Sequence, residues 1–77
     1  MRDRAAKKIG LAIVGAGRVG LFRGEVAMRH PEVAWIGIAE KNPERAKLVG
    51  DKIKADFITS DYRDLLNRPE VNAVIIS

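Results

Sequence analysis

The sequence predicts an α/β fold built on a parallel sheet. Three observations lead there: short apolar runs rich in Ile, Val and Ala, stretches of helical period between them, and connections of only a few residues. Strand and helix alternate through the chain as βαβαβαβ, which implies right-handed crossovers.

Taken in order, residues 1–7 form a solvated, charged tail. Residues 8–14 are a near-continuous apolar run, as expected of a strand covered on both faces. From residue 18 to residue 29, Val19, Phe22, Val26 and Ala27 recur at helical spacing among Arg18, Arg23, Glu25 and Arg29. That helix stops at His30-Pro31, because proline disfavours helical geometry in the residue before it.

Residues 33–39, "VAWIGIA", read as a second buried strand. Asn42-Pro43-Glu44 then supplies an N-cap, a proline at the first helical position and an acid in the first turn. The second helix runs to about residue 53 and turns Ala46, Val49, Gly50 and Ile53 inward. A third strand at residues 55–58 precedes "SDYRDLL", a brief helix capped by Ser60 or Asp61 and packed on the sheet by Tyr62. "NAVIIS" is the fourth strand.

At 77 residues the chain is at most one small domain with a thin core. Apolar residues at 47% and charged residues at 31% give a globular balance, against intrinsic disorder. The absence of cysteine excludes a disulfide framework and thiolate chemistry, and fits a reducing, cytoplasmic compartment. "MRDRAAKK" before an apolar run mimics a secretory signal, but the run continues as strand and helix instead of ending at a cleavage site. No stretch approaches the ~18 apolar residues of a membrane span.

The net charge of +4 is uneven: residues 1–30 hold seven Lys/Arg against two acids, and the remainder is nearly balanced. Such a bias suits a phosphate-bearing ligand. Four scattered aromatics do not make the interleaved basic stripe of a nucleic-acid binder, so neither nucleic acid nor membrane is expected as a partner.

The phosphate has a motif. Gly15-Ala16-Gly17-Arg18-Val19-Gly20 fits G-x-G-x-x-G between a buried strand and a helix, and Glu40 stands 20 residues beyond Gly20 at the end of the next strand. Gly15 makes the tight turn, Gly17 admits a pyrophosphate to the backbone, and Gly20 lets helix pack closely on strand. The helix N-terminus binds the anion through its amides and dipole. Arg18 either adds a charge contact or stands solvated.

Glu40 accepts hydrogen bonds from the adenosine ribose and disfavours the extra phosphate of NADP, so NAD is the expected cofactor. Lys41, with Arg45 one turn further, keeps NADP possible. His30 is the one residue whose ordinary pKa suits general-base work, yet it lies about 18 Å along the helix from the phosphate turn. No residue is assigned a catalytic or metal-binding role.

"IGLAIVGAGRVG", "AEKNPERA", "DYRDLL" and "NAVIIS" together resemble the glucose-fructose oxidoreductase, inositol dehydrogenase and MocA family over residues 8–77. The resemblance implies a partial Rossmann domain, the first half of an NAD(P)-binding unit, with sheet order 3-2-1-4. It implies cofactor contacts at residues 15–20 and at Glu40, and places Ser77 where a loop along the cofactor begins. It implies a parent enzyme acting on sugars or cyclitols, whose substrate domain and catalytic Glu-Lys-Pro motif are absent here. The "EKNP" at residues 40–43 is not that motif.

Two other readings stand beside it: a half-domain whose chief property is self-association, and a methyltransferase-like nucleotide fold. A sheet of order 3-2-1-4 with both longer helices on one face leaves the other face and the fourth-strand edge bare. A homodimer or higher oligomer completing the sheet is therefore expected.

Overall fold

The computed structural model describes residues 8–15 and 17–76, with Val19 as backbone only. The tail at residues 1–7, Ala16, the Val19 side chain and Ser77 thus lie outside the described residues. Seven elements follow in the expected order: β1 (Ile9–Val14), α1 (Arg18–Arg29), β2 (Val33–Ala39), α2 (Pro43–Ile53), β3 (Phe57–Thr59), α3 (Tyr62–Leu66) and β4 (Ala73–Ile76).

The four strands form one parallel sheet of order β3-β2-β1-β4, as expected. Its centre is β1, which pairs β2 along its full length and β4 from Leu11 to Val14. Asn72 fastens the entry of β4. Its side chain accepts from the Gly10 amide at 3.0 Å and donates to the Lys8 carbonyl at 2.7 Å, and its own amide donates to the Gly10 carbonyl at 2.9 Å. A Cβ on Gly10 would run into the Glu70 carbonyl, so this close passage requires glycine.

One sheet face packs Leu11, Ile13, Ile36 and Ile38 against Ala27 of α1 and Val49 and Ile53 of α2. The other buries Ala12 and Ala39 under Leu65 of α3, with Val14, Trp35, Phe57 and Val71 around them. Trp35 and Phe57 stack with ring centroids 6.2 Å apart, and the Arg68 guanidinium lies 4.8 Å from the Phe57 centroid. The five-residue α3 is thus all the helical cover on that face among the described residues.

The α2 face is as expected: Ala46, Val49, Gly50 and Ile53 are buried, and the Asn42 side chain caps the helix by accepting from the Glu44 and Arg45 amides. The α1 face is a correction. Phe22 is 67% exposed and Val26 55%, while Gly20, Gly24 and Ala27 are the buried positions. The reason is the closeness of the helices. A Cβ built on Gly24 would come within 2.9 Å of Ile53 Cδ1 and Cγ2, so the contact face is glycine and alanine, which hydropathy does not register.

Two smaller differences are at chain reversals. β3 is shorter and later than residues 55–58, because the chain reaches it through Lys54 in the left-handed conformation and an Asp56 amide bonded to the Ile36 carbonyl. Tyr62 does not pack α3 on the sheet. Leu65 does so, fully buried, and Tyr62 stays 51% exposed.

Candidate functional site

In a parallel sheet every strand delivers its carboxyl end to the same edge, so the residues following β1, β2 and β3 meet. They line a crevice of about 240 Å³ walled by Val14, Gly15, Ala39, Glu40, Lys41, Ser60 and Tyr62. Two hydrogen bonds carry the ladder past the strand ends: the Gly15 amide donates to the Ala39 carbonyl at 2.8 Å, and the Glu40 amide donates to the Thr59 carbonyl at 2.9 Å. These bonds set the first glycine beside the acid.

Gly15 has φ 89°, a left-handed backbone that a side chain would strain, and it turns the chain from β1 toward α1. Gly17 is the N-cap of α1, and no side chain caps that helix. A Cβ on Gly17 would meet nothing within 4 Å, so the approach to the first turn is open. With no acid in that turn, the helix N-terminus keeps its positive character toward the opening. Gly20 is buried, consistent with close packing of helix on strand, and Arg18 is exposed.

Glu40 is half-buried, and its Oε2 accepts from the Asn42 amide at 3.0 Å. That bond ties the carboxylate of this crevice-lining residue to the start of α2. Lys41 is exposed on the same wall, and its charge helps to lower the Asp61 carboxyl, whose main stabiliser is the Arg63 side chain. Arg63 donates to both Asp61 oxygens at 3.1 Å, and its backbone amide donates to Oδ1 at 2.9 Å.

A second cleft lies between the N-terminal parts of α1 and α2. Gly17, Arg18, Leu21, Arg45, Leu48 and Val49 line it. The expected site residues therefore divide: Gly15, Glu40 and Lys41 share the crevice, whereas Gly17 and Arg18 open on the cleft with Arg45. His30, at the far end of α1, lines an apolar groove with Phe22, Val26, Ala73 and Ile75, away from both. Among the described residues, no group of three His, Asp or Glu could hold a metal ion, and no helix is long and apolar enough to cross a membrane.

Sequence reasoning missed the β3–α3 turn. Ser60 and Tyr62 stand beside Glu40 because β3 pairs β2, and the signal was available in the topology: the residue after β3 must meet the residue after β2. It also treated Arg45 only as a companion of Lys41, when in the structure it lines a cleft with Arg18.

The donor set fits a dinucleotide: an open backbone approach at Gly17, a left-handed turn at Gly15, and a fixed carboxylate on the neighbouring strand end. Comparison with known proteins points the same way. The model of an oxidoreductase family, described as having an NAD-binding Rossmann fold, matches residues 9–77. An uncharacterized oxidoreductase of Bacillus subtilis (strain 168), YrbE, is 37% identical over 70 residues, 91% of this chain and 20% of that protein.

Among solved structures, an NAD binding oxidoreductase from Klebsiella pneumoniae superposes with a TM-score of 0.70 at 23% identity, over 91% of this chain and 21% of that one. A levoglucosan dehydrogenase in complex with NADH gives 0.66 at 26% identity, over 90% and 21%. The chain thus spans about one fifth of the length of these relatives.

Proposed function

Because the chain belongs to the oxidoreductase family with an NAD-binding Rossmann fold, we propose that its crevice holds the ADP half of NAD. The observation that carries this is the juxtaposition of the left-handed Gly15 turn with Glu40 on the adjacent strand end, with the Gly17 start of α1 open to approach. The pyrophosphate lies against the amides of residues 15–20, including Ala16 and Val19. Arg18 reaches it from the rim.

Glu40 accepts from the adenosine ribose hydroxyls, already oriented by the Asn42 amide, so the carboxylate loses little freedom on binding. A 2′-phosphate would meet that charge, and NAD is preferred over NADP. Lys41 on the crevice wall offsets part of this repulsion. From the family resemblance, Ser77 is proposed as a further cofactor contact.

Residues 8–77 on this reading are the first half of a dinucleotide-binding domain of a longer oxidoreductase acting on a sugar or cyclitol. NAD when bound supplies hydride acceptance. This chain's residues bind and orient it, and we assign them no proton transfer, since His30 opens on a separate groove.

Calorimetric titration of the chain with NAD and NADP tests the proposal. Saturable NAD binding stronger than NADP binding is expected, abolished by Gly17→Val, whose side chain fills the pyrophosphate approach. Unchanged affinity of that variant would overturn the assignment.

A second reading, self-association, rests on β4. Among the described residues that strand is hydrogen-bonded only to β1, and Ile76 on it is 80% exposed. Pairing of two β4 edges or packing of the bare faces would cover this surface in a homodimer. Light scattering distinguishes the outcomes, and a stable 8.5 kDa monomer at high concentration would exclude the dimer.

A further inference from the structure

The ring of Tyr62 has no structural task that its position explains. Leu65, not Tyr62, anchors α3 on the sheet, and the ring remains half-exposed on the wall of the crevice. We infer that the Tyr62 ring is the stacking platform for a purine base held in the crevice beside Glu40, an inference that rests on the dinucleotide reading above.

Three features support it. The backbone that carries the ring is held in advance: the Thr59 hydroxyl accepts from the Asp61 amide at 3.2 Å and donates to Asp64 at 3.4 Å, and the Asp61 carboxylate caps α3 through the Arg63 amide. A tyrosine on a fixed backbone has two side-chain torsions to lose, so ordering it costs little. Val14 and Ala39 give the crevice an apolar floor, which suits the flat face of a base.

Chemistry then selects the occupant. A purine nucleotide presents a π-face to Tyr62 and ribose hydroxyls to the Glu40 carboxylate, which the Asn42 amide already holds on the crevice wall. The exposed Ser60 hydroxyl on the same wall suits the hydrogen-bonding edge of the base. Base stacking on an aromatic side chain is large enough to measure by substitution.

The test uses the whole chain with AMP and NAD as probes, followed by NMR and calorimetry. Binding should shift the adenine H2 and H8 resonances upfield and give contacts from them to the Tyr62 ring protons. Tyr62→Phe should keep both effects, while Tyr62→Ala should abolish the upfield shift and weaken AMP and NAD by about tenfold. An amide spectrum of Tyr62→Ala like that of the parent protein shows that the fold is intact.

If NAD still perturbs the Gly15, Gly17 and Glu40 amides but Tyr62→Ala binds as tightly as the parent, the stacking inference is overturned and the dinucleotide reading stands. If NAD perturbs none of those amides, both fall. If Tyr62→Ala unfolds, the absence of adenine-to-Tyr62 contacts in the parent protein would still overturn the inference.

Discussion

The Glu40 carboxylate accepts a hydrogen bond from the Asn42 backbone amide at 3.0 Å, and the Asn42 side chain in turn caps α2. On the proposed function, ligand recognition and helix initiation are joined within three residues. Glu40→Ala is expected to weaken NAD by about tenfold or more, the scale of hydrogen bonds to a charged group, and to raise NADP affinity relative to NAD. Calorimetry with both nucleotides reads the ratio. Asn42→Ala should instead lower stability by about 1 kcal/mol through the lost cap, seen as a lower urea midpoint.

The α1–α2 contact gives a paired prediction. Gly24→Val should destabilise the fold by about 1–3 kcal/mol, because its side chain must displace the fully buried Ile53. Phe22→Ala, at an exposed position, should change stability by no more than about 0.5 kcal/mol. Urea unfolding of both compares them. Reversal of that order would restore the apolar stripe that hydropathy suggests.

Asn72 makes a similar test at the other side of the sheet. Asn72→Ala removes two side-chain bonds that tie β4 to β1 and should cost about 1–2 kcal/mol. Hydrogen exchange should accelerate first at the β4 amides, since they lose their anchor while β2 and β3 keep theirs.

Acid should release the α3 cap. The Asp61 carboxyl is held below its ordinary range, chiefly by the Arg63 side chain and then by the Arg63 amide. A depressed folded pKa contributes stability above the unfolded value and loses it as pH falls through the folded one. NMR titration should find Asp61 titrating below the ordinary aspartate value, and Arg63→Gln should raise it. Because the pair is exposed, global stability should shift little.

That Gly15, Glu40 and Lys41 stand at one crevice was legible from residue types alone. The spacing of the three glycines and of Glu40 depends on local turn chemistry and strand length, both of which are written in consecutive residues. The α2 face and its Asn42-Pro43 start were legible for the same reason. Tyr62 and the Arg18–Arg45 cleft were not, since they depend on which strands and helices become neighbours.

The sequence by itself determined the alternation of strands and helices and the place of the glycine turn between β1 and α1, and its family resemblance implied the strand order. The alternation follows from periodicity and capping, which act over short stretches of chain. Only the tertiary structure decided which side of α1 meets the sheet and where the Tyr62 ring stands. Burial there is set by how closely two elements approach: at Gly24 the fit to Ile53 outweighs the hydrophobicity of Phe22, and at α3 the depth of Leu65 leaves Tyr62 to the crevice.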